Sequence, residues 1–184
     1  MSRRLVLVSG APGAGKSTLA VPLAASLGFA LLRKDRIKEI LHDELGAPEP
    51  DLAWSRWIGG AAMGLLWALA ADAPDVVLEA NFRPRSSYEL AKITALGGQV
   101  VEVYCDCPAP VAAARYAERA PTCHPVHVTS GVSLEFLAEF DRPVGAGDLI
   151  AVDTTVPVDV PALAGEVRAR LARAGTGGAE RALR

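Results

Sequence analysis

The sequence predicts an α/β fold built on a parallel sheet with helices on both faces. Two observations carry that expectation. Five short runs, at 5–9, 29–32, 75–79, 100–104 and 148–152, are rich in Val, Leu and Ile and mostly lack period-two alternation. Strands buried on both faces read this way. Segments long enough for helices separate them, the spacing that parallel crossovers need. No linker or internal repeat divides the 184 residues, so residues 1–174 are expected to form one domain. The small, glycine-rich stretch 175–184 reads as a frayed tail.

The first strand ends at Gly10 and opens into Gly10-Ala11-Pro12-Gly13-Ala14-Gly15-Lys16-Ser17-Thr18, a full match to G-x-x-x-x-G-K-[ST]. A helix follows over 18–27 and stops at Gly28, which suits a left-handed cap. This strand–loop–helix unit is expected to bind a nucleoside triphosphate. The glycines let successive backbone N–H groups turn toward an anion, and the positive helix end adds to them. Lys16 is expected to reach the β- and γ-phosphates, and the Ser17 hydroxyl to ligate Mg²⁺.

The remaining elements follow in order. A helix is expected over 36–42, then a break at 46–50. Residues 52–71 read as a long, largely buried helix holding Trp54, Trp57 and Trp67, the first two expected in the core. Its uncharged part, 57–71, is only 15 residues, short of a bilayer span. Helices are also expected at about 85–96, from Pro108 to about 119, at 133–140 and at 160–172. The polar stretch at about 119–132 reads as a lid.

Ligands of such sheets bind at the carboxyl ends of the strands. There the second strand delivers Asp35, a candidate catalytic base for an acceptor hydroxyl or the N-cap of a helix starting at Arg36. Arg36 is placed against the acceptor or in solvent. The third strand ends in Glu79, with Asn81 beyond it. Glu79 is a candidate for the Mg²⁺ site or the acceptor, or it bonds Asn81 or a loop amide. Arg115 and Arg119 are four apart, hence on one helix face, and can close over a triphosphate from the lid or stay solvated. His124 and His127 read as surface histidines. Cys105, Cys107 and Cys123 are expected as reduced thiols, since their spacing with those histidines fits no zinc pattern.

Composition narrows the partners. Hydrophobic residues at 51% and charged residues at 22% suit a globular chain, and the net charge of −2 provides no global basic field for a nucleic-acid polymer. The strand begins right after Arg3-Arg4, leaving no room for a signal peptide, so a cytoplasmic location is expected.

On these motifs the chain resembles the small P-loop kinases of the AAA_33 type, near the polynucleotide kinase, zeta-toxin and chloramphenicol-phosphotransferase branch. The phosphate loop, Arg33-Lys34-Asp35-Arg36, Glu79-Ala80-Asn81-Phe82-Arg83-Pro84, Arg115-Tyr116-Ala117-Glu118-Arg119 and Val152-Asp153-Thr154 carry the likeness. It implies a three-layer P-loop NTPase fold with five parallel strands in the order 2-3-1-4-5. It also implies ATP and Mg²⁺ as cofactors, Asp35 as the base, and Arg119 on the transferred phosphate. Glu79-Ala80-Asn81 stands where phage polynucleotide kinase has Asp-Thr-Asn, and the arginine after its base has no clean match beyond Arg36 or Lys38. That departure favours a small-molecule hydroxyl acceptor over a nucleic-acid end. A weaker likeness to gluconate kinase points to polyol-like acceptors. A regulatory GTPase needs an Asn-Lys-x-Asp segment, which is absent, and ring-forming AAA motors need an adjacent Asp-Glu pair that Glu79-Ala80 does not supply.

Overall fold

The computed structural model describes residues 3–46, 51–127 and 133–181. Five strands form one sheet: β1 (Arg4–Ser9), β2 (Ala30–Arg33), β3 (Asp75–Glu79), β4 (Gln99–Asp106) and β5 (Asp148–Asp153). Their order is β2-β3-β1-β4-β5 and every pairing is parallel. The helices are α1 (Lys16–Leu27), α2 (Lys34–Leu45), α3 (Leu52–Asp72), α4 (Ser87–Leu96), α5 (Ala109–Arg119), α6 (Leu134–Ala138) and α7 (Val160–Arg181).

The central strand explains why alternation was faint in the sequence. Val6 and Val8 enter a core shared with Leu19 and Leu23 of α1 and Val167 of α7. Leu5 and Leu7 enter a second core with Leu66 and Trp67 of α3 and Ile93 of α4. Successive side chains point to opposite faces, and both faces are covered, so both must be apolar. The two cores sandwich the sheet into three layers.

One strand residue breaks the apolar rule. Glu102 of β4 is fully buried, yet its carboxylate accepts from Ser9 Oγ at 2.6 Å and from the backbone N–H groups of Val144, Gly145 and Ala146 at 2.8, 2.9 and 3.4 Å. Charge-assisted bonds of this number offset the desolvation of a carboxylate. They tie the last residue of β1, next to the phosphate loop, to the chain that leads into β5.

Several boundaries differ from expectation. The helix expected from Arg36 starts at Lys34 with Arg33 as its N-cap, and no side chain caps it. α7 runs to Arg181 rather than ending at Ala172. The stretch expected to fray from residue 175 is thus helical as far as residue 181. The long helix α3 is buried along one face, not all round: Trp67 lies in the core, whereas Trp57 is 63% exposed and Trp54 half-buried. The expected core placement of Trp54 and Trp57 therefore does not hold. The indole N–H of Trp54 donates to His42 Nδ1 at 3.0 Å, an outlet that a core position would not supply.

Candidate active site

The carboxyl ends of the strands border a cavity of about 1010 Å³. Its floor is the phosphate loop. Gly10 and Gly13 have φ of 133° and 83°, conformations that glycine tolerates and L-residues rarely adopt. A Cβ on Gly13 would lie 2.1 Å from the Ala112 carbonyl oxygen of α5, so the loop packs directly on that helix. Gly15 caps α1 in the left-handed region without a side-chain bond. The first amides of α1 are thus left open for an anion. Pro12, Gly13, Gly15, Lys16, Ser17 and Thr18 line the cavity, while Gly10, Ala11 and Ala14 are buried beneath.

Lys16 is 6% exposed, and its Nζ donates to the Gly10 and Ala11 carbonyls at 2.9 and 2.7 Å. Burial pushes its pKa down, against the attraction of Glu79. Ser17 Oγ donates to Glu79 Oε2 at 3.0 Å. Glu79 is 4% exposed, and burial raises its carboxyl pKa against the pull of Lys16. A hydroxyl and a buried carboxylate side by side, next to open helix amides, form an oxygen donor set suited to Mg²⁺. Phe82 packs on Trp67 at a centroid distance of 5.7 Å and anchors the turn that carries Asn81 to the cavity wall.

Asp35 sits in the first turn of α2 and is not its N-cap, so the capping alternative falls away. Its side chain bonds Lys34 Nζ at 3.0 Å and borders the cavity. Burial acts to raise its pKa, but Lys34, His127 and Lys16 together outweigh burial and hold the carboxyl below the ordinary value. Arg36 also lines the cavity, though it is engaged with Glu39 at 3.4 Å.

The two arginines of α5 part company. Arg115 donates to the Thr154 carbonyl at 2.9 Å and the Thr155 carbonyl at 3.4 Å, which fixes it to the loop after β5. Arg119 lies with its guanidinium carbon 6.0 Å from the Tyr116 ring and lines the cavity.

His124 and His127 are not idle surface residues. His124 Nε2 lies 3.0 Å from Asp43 Oδ1, and His127 Nε2 lies 3.1 Å from Glu39 Oε1. Both carboxylates belong to α2, so the start of the expected lid is fastened across the cavity. Residues 128–132, the rest of that expected lid, lie outside the described residues. Lys38, which the sequence offered only as a loose match for the arginine after the base, is 6% exposed and donates to Ser55 Oγ of α3 at 2.7 Å. Its spacing of four from Lys34 was the available signal.

A family profile described as an AAA domain, AAA_33, matches residues 5–143, which span the phosphate loop, Asp35, Glu79 and both arginines. The chain belongs to the AAA_33 family. Among solved structures, this AAA_33 protein is similar to a provisionally assigned kinase from Chloroflexus aurantiacus j-10-fl. That likeness has a TM-score of 0.81 and 28% identity, over 92% of this chain and 99% of the other. A shikimate kinase from Acinetobacter baumannii, solved with shikimate, is similar with a TM-score of 0.59 and 18% identity, over 90% of each chain. A gluconokinase from Sinorhizobium meliloti 1021 is similar with a TM-score of 0.54 and 20% identity, over 96% of this chain and 95% of the other. At those two identities the likeness is one of fold. No curated protein matches the chain by sequence. The resemblance to small P-loop kinases read from the motifs therefore stands, as does the strand order. Among the described residues no helix is long and apolar enough to cross a membrane.

Proposed function

We propose that this protein is an ATP-dependent kinase that transfers the γ-phosphoryl group of Mg-ATP to a hydroxyl of a small molecule. The observation that carries the reading is the pairing of Ser17 Oγ with buried Glu79 at 3.0 Å, in one cavity with Lys16 and Asp35. A binding module needs the phosphate loop alone; a charged carboxylate across the same cavity is what phosphoryl transfer adds.

In this reading the amides of α1 and the loop hold the triphosphate, and Lys16 leaves its two carbonyl partners to reach the terminal phosphates. Ser17 and Glu79 would hold Mg²⁺, which when bound neutralises charge on the phosphate oxygens. Asp35 orients the acceptor hydroxyl and accepts its proton, a role served by a carboxyl held ionised. Arg119 closes on the transferred group. Arg115 keeps the loop after β5 in place, where Val156, Pro157 and Val158 offer an apolar wall for the base. The fastening of His124 and His127 to α2 supports a small acceptor over a polymer end.

The test is ADP release from Mg-ATP against a panel of nucleosides, oligonucleotide 5′-hydroxyl ends, sugars, sugar acids, aminoglycosides and chloramphenicol, with Lys16→Ala as the blank. Acceptor-dependent release from a small molecule is the expected result. Release without any acceptor would make the protein an ATPase, and binding without release would make it a nucleotide-binding module.

A further inference from the structure

We propose that Lys34 and Lys38 form an anion subsite, so that the acceptor is a small hydroxy compound carrying a carboxylate or phosphate group. This deepens the kinase reading above and rests on it.

The two lysines are four residues apart on α2 and share one face, about 5–6 Å apart at their Cβ atoms. Both line the cavity. Their side chains meet at one spot on α3: a Cβ added to Gly59 would lie 3.7 Å from Lys34 Nζ and 3.8 Å from Lys38 Cε. Two ammonium groups are therefore held together instead of spreading into solvent. Among the described residues, the carboxylate that pairs with them is Asp35, bonded to Lys34 at 3.0 Å. Lys38 has no ion-pair partner among the described residues; the Ser55 hydroxyl takes one of its three protons. Glu39, the next carboxylate along α2, is taken up by His127 and Arg36.

A buried cation without a counter-charge is unfavourable because it gives up hydration, and two neighbouring cations add mutual repulsion. A ligand that supplies the negative charge removes both costs. Arginine reads a carboxylate or phosphate through a planar fork, whereas two lysines do so as converging point charges. The subsite also has a defined relation to the chemistry. Asp35 lies between the lysines in sequence, so a hydroxyl at Asp35 and an anion at Lys38 sit about one helical turn apart. That span fits an acid group a few bonds from the phosphorylated hydroxyl.

The experiment pairs charged acceptors with uncharged counterparts: sugar acids and small hydroxy acids with their amides or alditols, and polyol phosphates with the parent polyols. An anionic member is expected to exceed its neutral counterpart at least tenfold in kcat/KM. The carboxylate and phosphate arms tell the two sources apart. Lys38→Met should raise the KM for that anionic acceptor at least tenfold with kcat within about threefold, and Lys38→Arg should restore part of the affinity. If Lys38→Met does not fold by circular dichroism, Ser55→Ala takes its place, with a smaller rise in KM expected. Neutral counterparts that serve as well as the acids would overturn the subsite, as would an equal effect of Lys38→Met on both. Should no acceptor release ADP, the kinase reading fails, and calorimetry with a non-hydrolysable ATP analogue decides the subsite alone. Binding of an acid lost in Lys38→Met supports it, and binding of no panel acid overturns it.

Discussion

Asp35 and Lys38 are one turn apart on the same helix, and both pKa values lie below their ordinary values, which favours the charged carboxylate and disfavours the charged ammonium. Burial acts to raise the Asp35 pKa, yet Lys34, His127 and Lys16 outweigh it, so the carboxylate stays ionised below the usual carboxylate range. Asp35→Asn should leave ATP affinity nearly unchanged and lower turnover by about two to four orders of magnitude, measured by acceptor-dependent ADP release. Wild-type turnover in that variant would remove Asp35 from the mechanism. Lys38 is lowered to about 8, first by burial and then by Lys34, with Asp35 opposing. The groups facing it are Lys34 and Asp35 on α2, Ser55 on α3 and His127 from the lid. Lysine binds an anion when protonated, so the KM for an anionic acceptor should climb as pH rises through about 8 and stay flat for Lys38→Arg. Asp35 was legible in the sequence because it stands at a strand end, and Lys38 only as a loose match for the arginine after the base. Lys38 owes its character to burial beneath α3, a tertiary fact that helix spacing alone does not carry.

At the scale of elements, the strands were easy to read because a sheet covered on both faces demands unbroken apolar runs. Helix ends were harder. α2 begins two residues earlier than expected since backbone geometry at Arg33, not an aspartate side chain, starts it. The exposed side of α3 misled for a related reason: alanine and glycine along its solvent face raise hydrophobicity without marking burial. Glu102 was invisible as a structural residue, because nothing local announces that four donors will converge on it. Glu102→Ala would strand the Ser9 hydroxyl and the amides of 144–146. The expected cost is about 3 kcal/mol, read as a fall in Tm of roughly 6–12 °C. A Tm within 2 °C of wild type, about a noise-level change on that scale, would deny the carboxylate this bracing role.

The whole molecule joins a braced floor to a fastened roof. The phosphate loop rests on α5 through Gly13 and on β4 through the Ser9–Glu102 bond, whereas the roof is held by two histidine–carboxylate pairs. Those pairs were the least legible part of the site, since the partners are more than 80 residues apart in sequence. Burial lowers the His127 pKa from its ordinary 6.5, against the pull of Asp35 and Glu39. A lowered folded-state pKa contributes stability that is present above pH 6.5 and is lost as pH falls toward the folded value. The protection factor of the 120–127 amides should therefore fall from pH 7 to pH 5.5, and Glu39→Gln, which removes a pull that holds the His127 pKa up, should steepen that fall; a pH-independent protection factor would refute it. The fastening has an optical side. Trp54 Nε1 bonds His42, whose ring meets His124 of the roof edge-on at 5.4 Å, and exposed Trp57 lies 5.2 Å from Trp54. Trp67 stands apart in the second core. The chain thus carries its own fluorophore pair beside the fastening and a reference indole in the interior, so loss of the His124–Asp43 contact can be read by intrinsic emission without a label.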